Sequence, residues 1–160
     1  MTSRIFSFLL FIGLISCKKT EVPVNKFVGT WYDTEYVIPN LTIIKIKEDS
    51  TFSCVSGACT WHGFSRGKWK VTGDFIELNT VKIDSCYDVF PFFSCRFFDK
   101  NNEAKMTIEG CKPKSPDSYV IFENENFYIK NDSLILQIKP SSGCPDTLKI
   151  VFAKTQKIRK

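Results

Sequence analysis

One histidine and seven cysteines stand among the 160 residues of the chain, and these are the side chains with which chemistry could be done. Cys54, Cys59 and His62 follow one another at Cys-x4-Cys-x2-His spacing. Two thiolates and an imidazole form a donor set that suits zinc or copper. That spacing matches no strong metal signature, and in an oxidising compartment the same thiols pair with each other instead. His62 could also act as general base for a serine or cysteine nucleophile, yet no Gly-x-Ser-x-Gly elbow is present. Asp84, Asp88 and Glu103 fall in loop-like stretches, where sequence does not say whether two carboxylates meet. No glycine-rich phosphate cradle and no internal repeat occurs. We therefore expect no catalytic residues, no cofactor and no metal, and a protein that binds without acting as an enzyme. The chemistry of the cysteines then depends on where the chain resides.

Ile5 to Gly13 is a short apolar run behind the basic Arg4, the layout of a secretory signal. It is too short for a finished transmembrane helix, which needs about 20 apolar residues. The residues that close it, Leu14-Ile15-Ser16-Cys17, resemble the bacterial lipobox: an aliphatic residue, small residues, then an obligatory cysteine. The resemblance implies a lipoprotein signal peptide over 1–16 and lipid on Cys17 as the mature N-terminus. A polar tether over 17–25, with Pro23 in it, then leads to a folded domain over 26–160. Lys18, directly after the cysteine, resembles the default route to the outer membrane, and only Glu21 is at hand for an acidic surface-export signal. The expected place is the outer membrane, held by lipid, with the domain on the periplasmic side.

With Cys17 lipidated, Cys54, Cys59, Cys86, Cys95, Cys111 and Cys144 remain, and an even count in an exported chain reads as disulfides. The net charge of +5 falls by one when Arg4 leaves with the signal. The lysines are spread among acids, without the clustering of a nucleic-acid footprint. The basic tail Lys154, Lys157, Arg159 and Lys160 reads as a solvated end that could add attraction to anionic lipid.

The elements that must position these residues are strands. Leu41 to Lys47 alternates and is rich in β-branched residues, with Ile44 and Ile46 on one face. Thr51 to Val55 returns, and Ser56-Gly57-Ala58 reads as a reversal that sets Cys54 opposite Cys59. Gly67 to Leu78 is a hairpin around Thr72-Gly73-Asp74, with Ile76 and Leu78 on one face. Cys86 to Phe98 holds five phenylalanines around Pro91, which disfavours a central strand, so a loop closed by Cys86 and Cys95 is expected. Lys105 to Gly110, Tyr119 to Phe122, Phe127 to Lys130, Ser133 to Lys139 and Leu148 to Phe152 complete the strands, with a turn at Asn131-Asp132. Counting directions through them puts Cys111 and Cys144 at one end and makes that pair feasible. No amphipathic helix of ordinary length follows the signal.

The opening Asn25-Lys26-Phe27-Val28-Gly29-Thr30-Trp31-Tyr32-Asp33, with Pro39 beyond it, resembles the first motif of lipocalins. The pattern from Phe52 through Gly67-x-Trp69-x-Val71 and Gly73-Asp74-x-Ile76-x-Leu78 looks like that of small lipocalin-like lipoproteins of Bacteroidetes. The resemblance implies an all-β, antiparallel up-and-down barrel of roughly 8–10 strands, disulfide-stapled and without the C-terminal helix usual in lipocalins. It further implies a small apolar ligand inside, with Trp31 at the closed end and Ile44, Ile46, Trp69, Ile76, Leu78, Leu134 and Leu136 as lining. Phe90, Phe92 and Phe93 would form the lid. Small barrels can instead be filled by their own side chains. The chain would then resemble the barrel lipoproteins that inhibit lysozymes or proteases, and would engage an envelope protein through its cysteine-bounded loops.

Overall fold

The computed structural model describes residues 25–34, 40–95 and 105–156. The signal, Cys17, nearly all of the tether, Pro39, Phe97, Phe98, Glu103 and the tail beyond Gln156 lie outside them. Eleven strands follow in chain order: β1 (Gly29–Asp33), β2 (Asn40–Ile46), β3 (Thr51–Ala58), β4 (Trp61–Thr72), β5 (Phe75–Thr80), β6 (Asp88–Pro91), β7 (Lys105–Met106), β8 (Ser118–Ile121), β9 (Glu125–Lys130), β10 (Ser133–Leu136) and β11 (Val151–Ala153). Successive side chains of a strand point to opposite faces, and burial alternates accordingly. Thr42, Ile44 and Ile46 are buried in β2, Ile76 and Leu78 in β5, and Leu134 and Leu136 in β10. The turns follow the same local chemistry. Asn131 and Asp132 both take positive φ, 51° and 56°, as a two-residue primed turn requires, and Gly73 supplies φ 62° between β4 and β5.

Strands β1, β2, β3, β4, β5, β9, β10 and β11 pair antiparallel in that cyclic order, and the β1–β11 ladder closes a barrel of eight. The disulfide-stapled, lipocalin-like architecture expected from sequence is therefore present. Among the described residues there is no α-helix, only a 3-10 turn at Pro140–Ser142. Close packing around the barrel is tightest at Gly67, where a side chain would stand 2.1 Å from the Asn79 carbonyl oxygen and 2.5 Å from the Phe52 ring. Only glycine fits there.

The departure from a plain meander is the insertion over 81–124, between β5 and β9. Its strand β8 runs parallel to the first half of β4, through Gly63 and Phe64, and β6 runs parallel to β8, with β7 at the edge. Pro91 thus ends a strand where a loop was expected. A proline lacks only its own N–H, and at the strand end the ladder resumes with Phe92 N–H donating to the Ile121 carbonyl at 2.8 Å. Three expected strands are shorter than the sequence pattern suggested: Lys105–Met106, Ser133–Leu136 and Val151–Ala153. The second ends at Leu136, and Pro140 and Pro145, neither of which can donate to a ladder, both fall in the loop before the third, on either side of Cys144.

Candidate functional site

The two ends of the barrel differ. One end carries only short turns, at 47–50, 73–74 and 131–132, together with the incoming Phe27. Trp31 closes it: the side chain is fully buried and its Nε1–H donates to the Phe27 carbonyl at 2.8 Å. The Lys154 ammonium stands 5.3 Å from the Trp31 ring centre, a cation–π contact. Trp69 Nε1–H donates to the Lys47 carbonyl at 2.9 Å, which ties β4 to the turn after β2. Both indoles meet the rule that a buried N–H finds an acceptor.

The opposite end is where the chain leaves β1 at Thr34 and where the insertion over 81–124 and the loop over 137–150 depart from the barrel strands. Two disulfides staple it, Cys86–Cys111 within the insertion and Cys95–Cys144 between insertion and loop. None of the three expected pairings, Cys54–Cys59, Cys86–Cys95 and Cys111–Cys144, is formed. The β3–β4 reversal falls at Cys59-Thr60, because Ala58 pairs with Trp61 and the strand runs straight through Ser56 and Gly57. Cys54 therefore lies within β3 and Cys59 in the corner beyond its end, five residues further along an extended run of about 3.3 Å per residue, out of reach of a disulfide. The other two pairs are exchanged because the insertion forms strands and folds back on itself. That brings Thr107 N–H to the Tyr87 carbonyl at 3.0 Å, and with it Cys111 to Cys86, and leaves Cys95 beside Ser142 and Cys144.

Cys54 is a free, buried thiol, pushed far above its ordinary pKa by burial alone, and Cys59 is free and exposed. His62 is exposed on the outer face over Gly57, whereas Cys54 points inward. The three residues of the Cys-x4-Cys-x2-His run are thus not brought together.

The expected lining residues Ile44, Ile46, Ile76, Leu78, Leu134 and Leu136 all point into the barrel and are buried, as are Trp31 and Trp69. They are joined there by Phe52, Phe122, Phe127 and Phe152, which the sequence reading passed over. Phe52, Phe127 and Phe152 lie at inward positions of alternating strands and were open to detection; Phe122, just past β8, gave no such signal. Phe92 enters this group. Its ring stacks on Phe122 with centres 4.0 Å apart, and lies 5.9 Å from Phe127 and 6.5 Å from Phe152. Phe122 in turn meets Phe52 at 4.9 Å. The rings run from β3 to β9 and β11 on the far side and bridge the barrel wall to wall. Phe90 stays at the rim with its ring 5.8 Å from that of Trp61, and Phe93 is half-buried against the core.

Polar groups of the mouth are satisfied locally. Thr42 and Ser56 share a hydrogen bond of 2.8 Å, and Trp61 Nε1–H donates to Ser118 Oγ at 3.0 Å. Thr80 Oγ1 accepts from Phe122 N–H at 2.7 Å and joins β5 to the insertion. Glu125 opens β9 on its inward face and pairs with Lys139 at 2.7 Å, and Lys139 also donates to the Glu123 carbonyl. Burial raises the pKa of Glu125 and Lys139 offsets part of that rise. The pair ties the start of the 137–150 loop to the start of the neighbouring β9. What the arrangement can do chemically is present a rigid, aromatic-edged surface.

Compared with protein families, with curated proteins and with solved structures, the chain matches none.

Proposed function

We propose that this chain is a lipid-anchored lipoprotein of the bacterial envelope, similar to the small lipocalin-like lipoproteins of Bacteroidetes, and that it binds an envelope protein at the stapled mouth of its barrel. Cys17 carries the lipid, the tether over 17–25 gives reach, and the domain faces the periplasm from the outer membrane. The observation that carries the binding surface is the ring bridge through Phe92. With Phe52, Phe122, Phe92, Phe127 and Phe152 spanning the interior, contact is made on the outside. The two bridges hold the mouth in one shape, which lowers the ordering cost of association. Phe90, Phe93 and Trp61 supply the half-exposed aromatic anchors usual at the centre of an interface.

A second reading is favoured by the origin of the plug. Phe92 belongs to the insertion and not to a barrel strand, so the movement of one segment would vacate the space above the lining residues for a small apolar ligand. Native mass spectrometry of the protein purified from its own host separates the two. A protein partner that is lost on Phe90→Ala and Phe93→Ala substitution supports the first. A retained lipid-sized mass, displaced when Phe92→Trp fills the interior further, replaces it with the second. The same spectra read the mass of Cys17, and an unmodified N-terminus elsewhere would remove the anchor.

A further inference from the structure

No Asp or Glu occurs anywhere in β2, β3 or β4, and the register of these strands sorts their outward side chains into level rows. One row is apolar: Tyr32 of β1 stands opposite Ile43, Ile43 opposite Val55, and Val55 opposite Phe64. Val55 is 59% exposed; the other three are half-buried, Phe64 beneath the rings of Tyr87 and Tyr119 at 5.0 and 5.3 Å. The next row towards the closed end is Lys45, Ser53 and Arg66, and the row after it sets Lys68 opposite Thr51. Lys45, Arg66 and Lys68 are exposed, and the ion pairs among the described residues use Lys70 and Lys139 instead. Glu48 and Asp49 lie beyond these rows in the β2–β3 turn, where Asp49 accepts from Thr51 and faces Lys47.

Two residues along a strand span about 7 Å, so the cations stand about 7 and 14 Å from the apolar row. With the wall lying flat on a bilayer, both kinds of row meet the headgroup layer, which is about 5 to 7 Å thick on each side of the hydrocarbon core. We propose that the β2–β3–β4 wall is a membrane-contact face. Val55, flanked by the half-buried Ile43 and Tyr32, faces the edge of the acyl chains, and Lys45, Arg66 and Lys68 beside it meet the phosphates of anionic lipid. An acidic protein would match the charge, but gives no reason for an apolar row set one step to the side of it. This face depends neither on the lipid at Cys17 nor on the mouth.

The test uses the full chain carrying Cys17→Ser, so that no acyl group contributes. It is co-sedimented with vesicles of phosphatidylcholine alone and of phosphatidylcholine mixed with phosphatidylglycerol. Binding is expected to the anionic vesicles and to be lost at high salt. The double variant K45Q/K68Q should partition roughly thirtyfold less, from about 1 kcal/mol per cation removed. Val55→Ser should partition roughly tenfold less through the lost apolar contact. All three side chains are exposed, so thermal melts of the variants should match the parent and keep the comparison valid. Failure of the folded Cys17→Ser chain to bind anionic vesicles, or equal binding by the variants, would overturn the proposal. Binding to polyglutamate-coated beads but not to vesicles would overturn it too and assign the wall to an acidic protein. None of these outcomes touches the mouth, which is read by a different measurement.

Discussion

Glu125 shows how a single side chain sets the energetics of the mouth. Its carboxylate is buried on the inward face of β9 with Lys139 at 2.7 Å, and burial pushes its pKa up further than Lys139 pulls it down. A carboxyl whose folded pKa lies above its unfolded value holds its proton more tightly when folded. Its contribution to stability is therefore full below the ordinary glutamate range and is lost as pH rises through the raised folded value. Asp49 behaves in the opposite sense. Its pKa is lowered by hydrogen bonds from Thr51, so its contribution is present at neutral pH and lost as pH falls through the depressed value. Lys139→Ala leaves the Glu125 carboxylate without a partner. We expect a loss of about 1–2 kcal/mol at neutral pH, the cost of breaking a buried pair reduced because a third of the Lys139 side chain is in water. Thermal melts at neutral and mildly acidic pH check this. The deficit should shrink on acidification, as protonation removes the stranded charge, and a deficit that grew instead would contradict the assignment.

At the scale of elements, what was legible in the sequence is what neighbouring residues decide. The Gly67 to Leu78 hairpin, the Asn131-Asp132 turn and the inward sets Ile44/Ile46, Ile76/Leu78 and Leu134/Leu136 rest on alternation and turn chemistry, and all are found as read. The β3–β4 reversal was misplaced by a few residues because Ser56-Gly57-Ala58 has turn composition, whereas Cys59, with φ 42°, makes the actual corner. The disulfide pairing was out of reach for another reason. It follows from β8 packing parallel on β4, a contact between Gly63 and Ser118 that no local pattern announces. The successive β2–β3 and β3–β4 ladders gather Lys45, Arg66 and Lys68 onto one wall, although in sequence the lysines look scattered. The consequence for the cysteines is directly measurable. An exposed Cys59 should react with a maleimide in the native protein, and Cys54 should react only after unfolding. Proteolytic mapping should return peptides joined at Cys86–Cys111 and Cys95–Cys144. A native peptide joining Cys54 to Cys59 would contradict the register of the hairpin.

Across the whole molecule, the contrast between the two ends sets the order in which it comes apart. The closed end is held by continuous antiparallel ladders, by both buried indoles and by tight turns. The side sheet hangs on two β4–β8 pairs and on a two-residue edge strand. Its integrity therefore leans on the bridges. In the chain-entropy account, sequence separations of 25 and 49 correspond to roughly 3.5 and 4 kcal/mol at most. Reduction removes that constraint from the insertion and the 137–150 loop while leaving every ladder of the barrel in place. Hydrogen exchange read by mass spectrometry, with and without reductant, should show the amides of β6, β7 and β8 losing protection by on the order of a hundredfold or more, a factor of ten for each 1.4 kcal/mol. The amides of β2, β3, β4 beyond Gly63, and β5 should stay protected. Because Phe92 is carried by the released segment, β9 and β11, whose Phe127 and Phe152 face it, should loosen before the β2–β5 wall. Uniform loss of protection around the ring of strands would mean that barrel and side sheet unfold as one unit, with the staples serving the barrel itself and not the mouth alone.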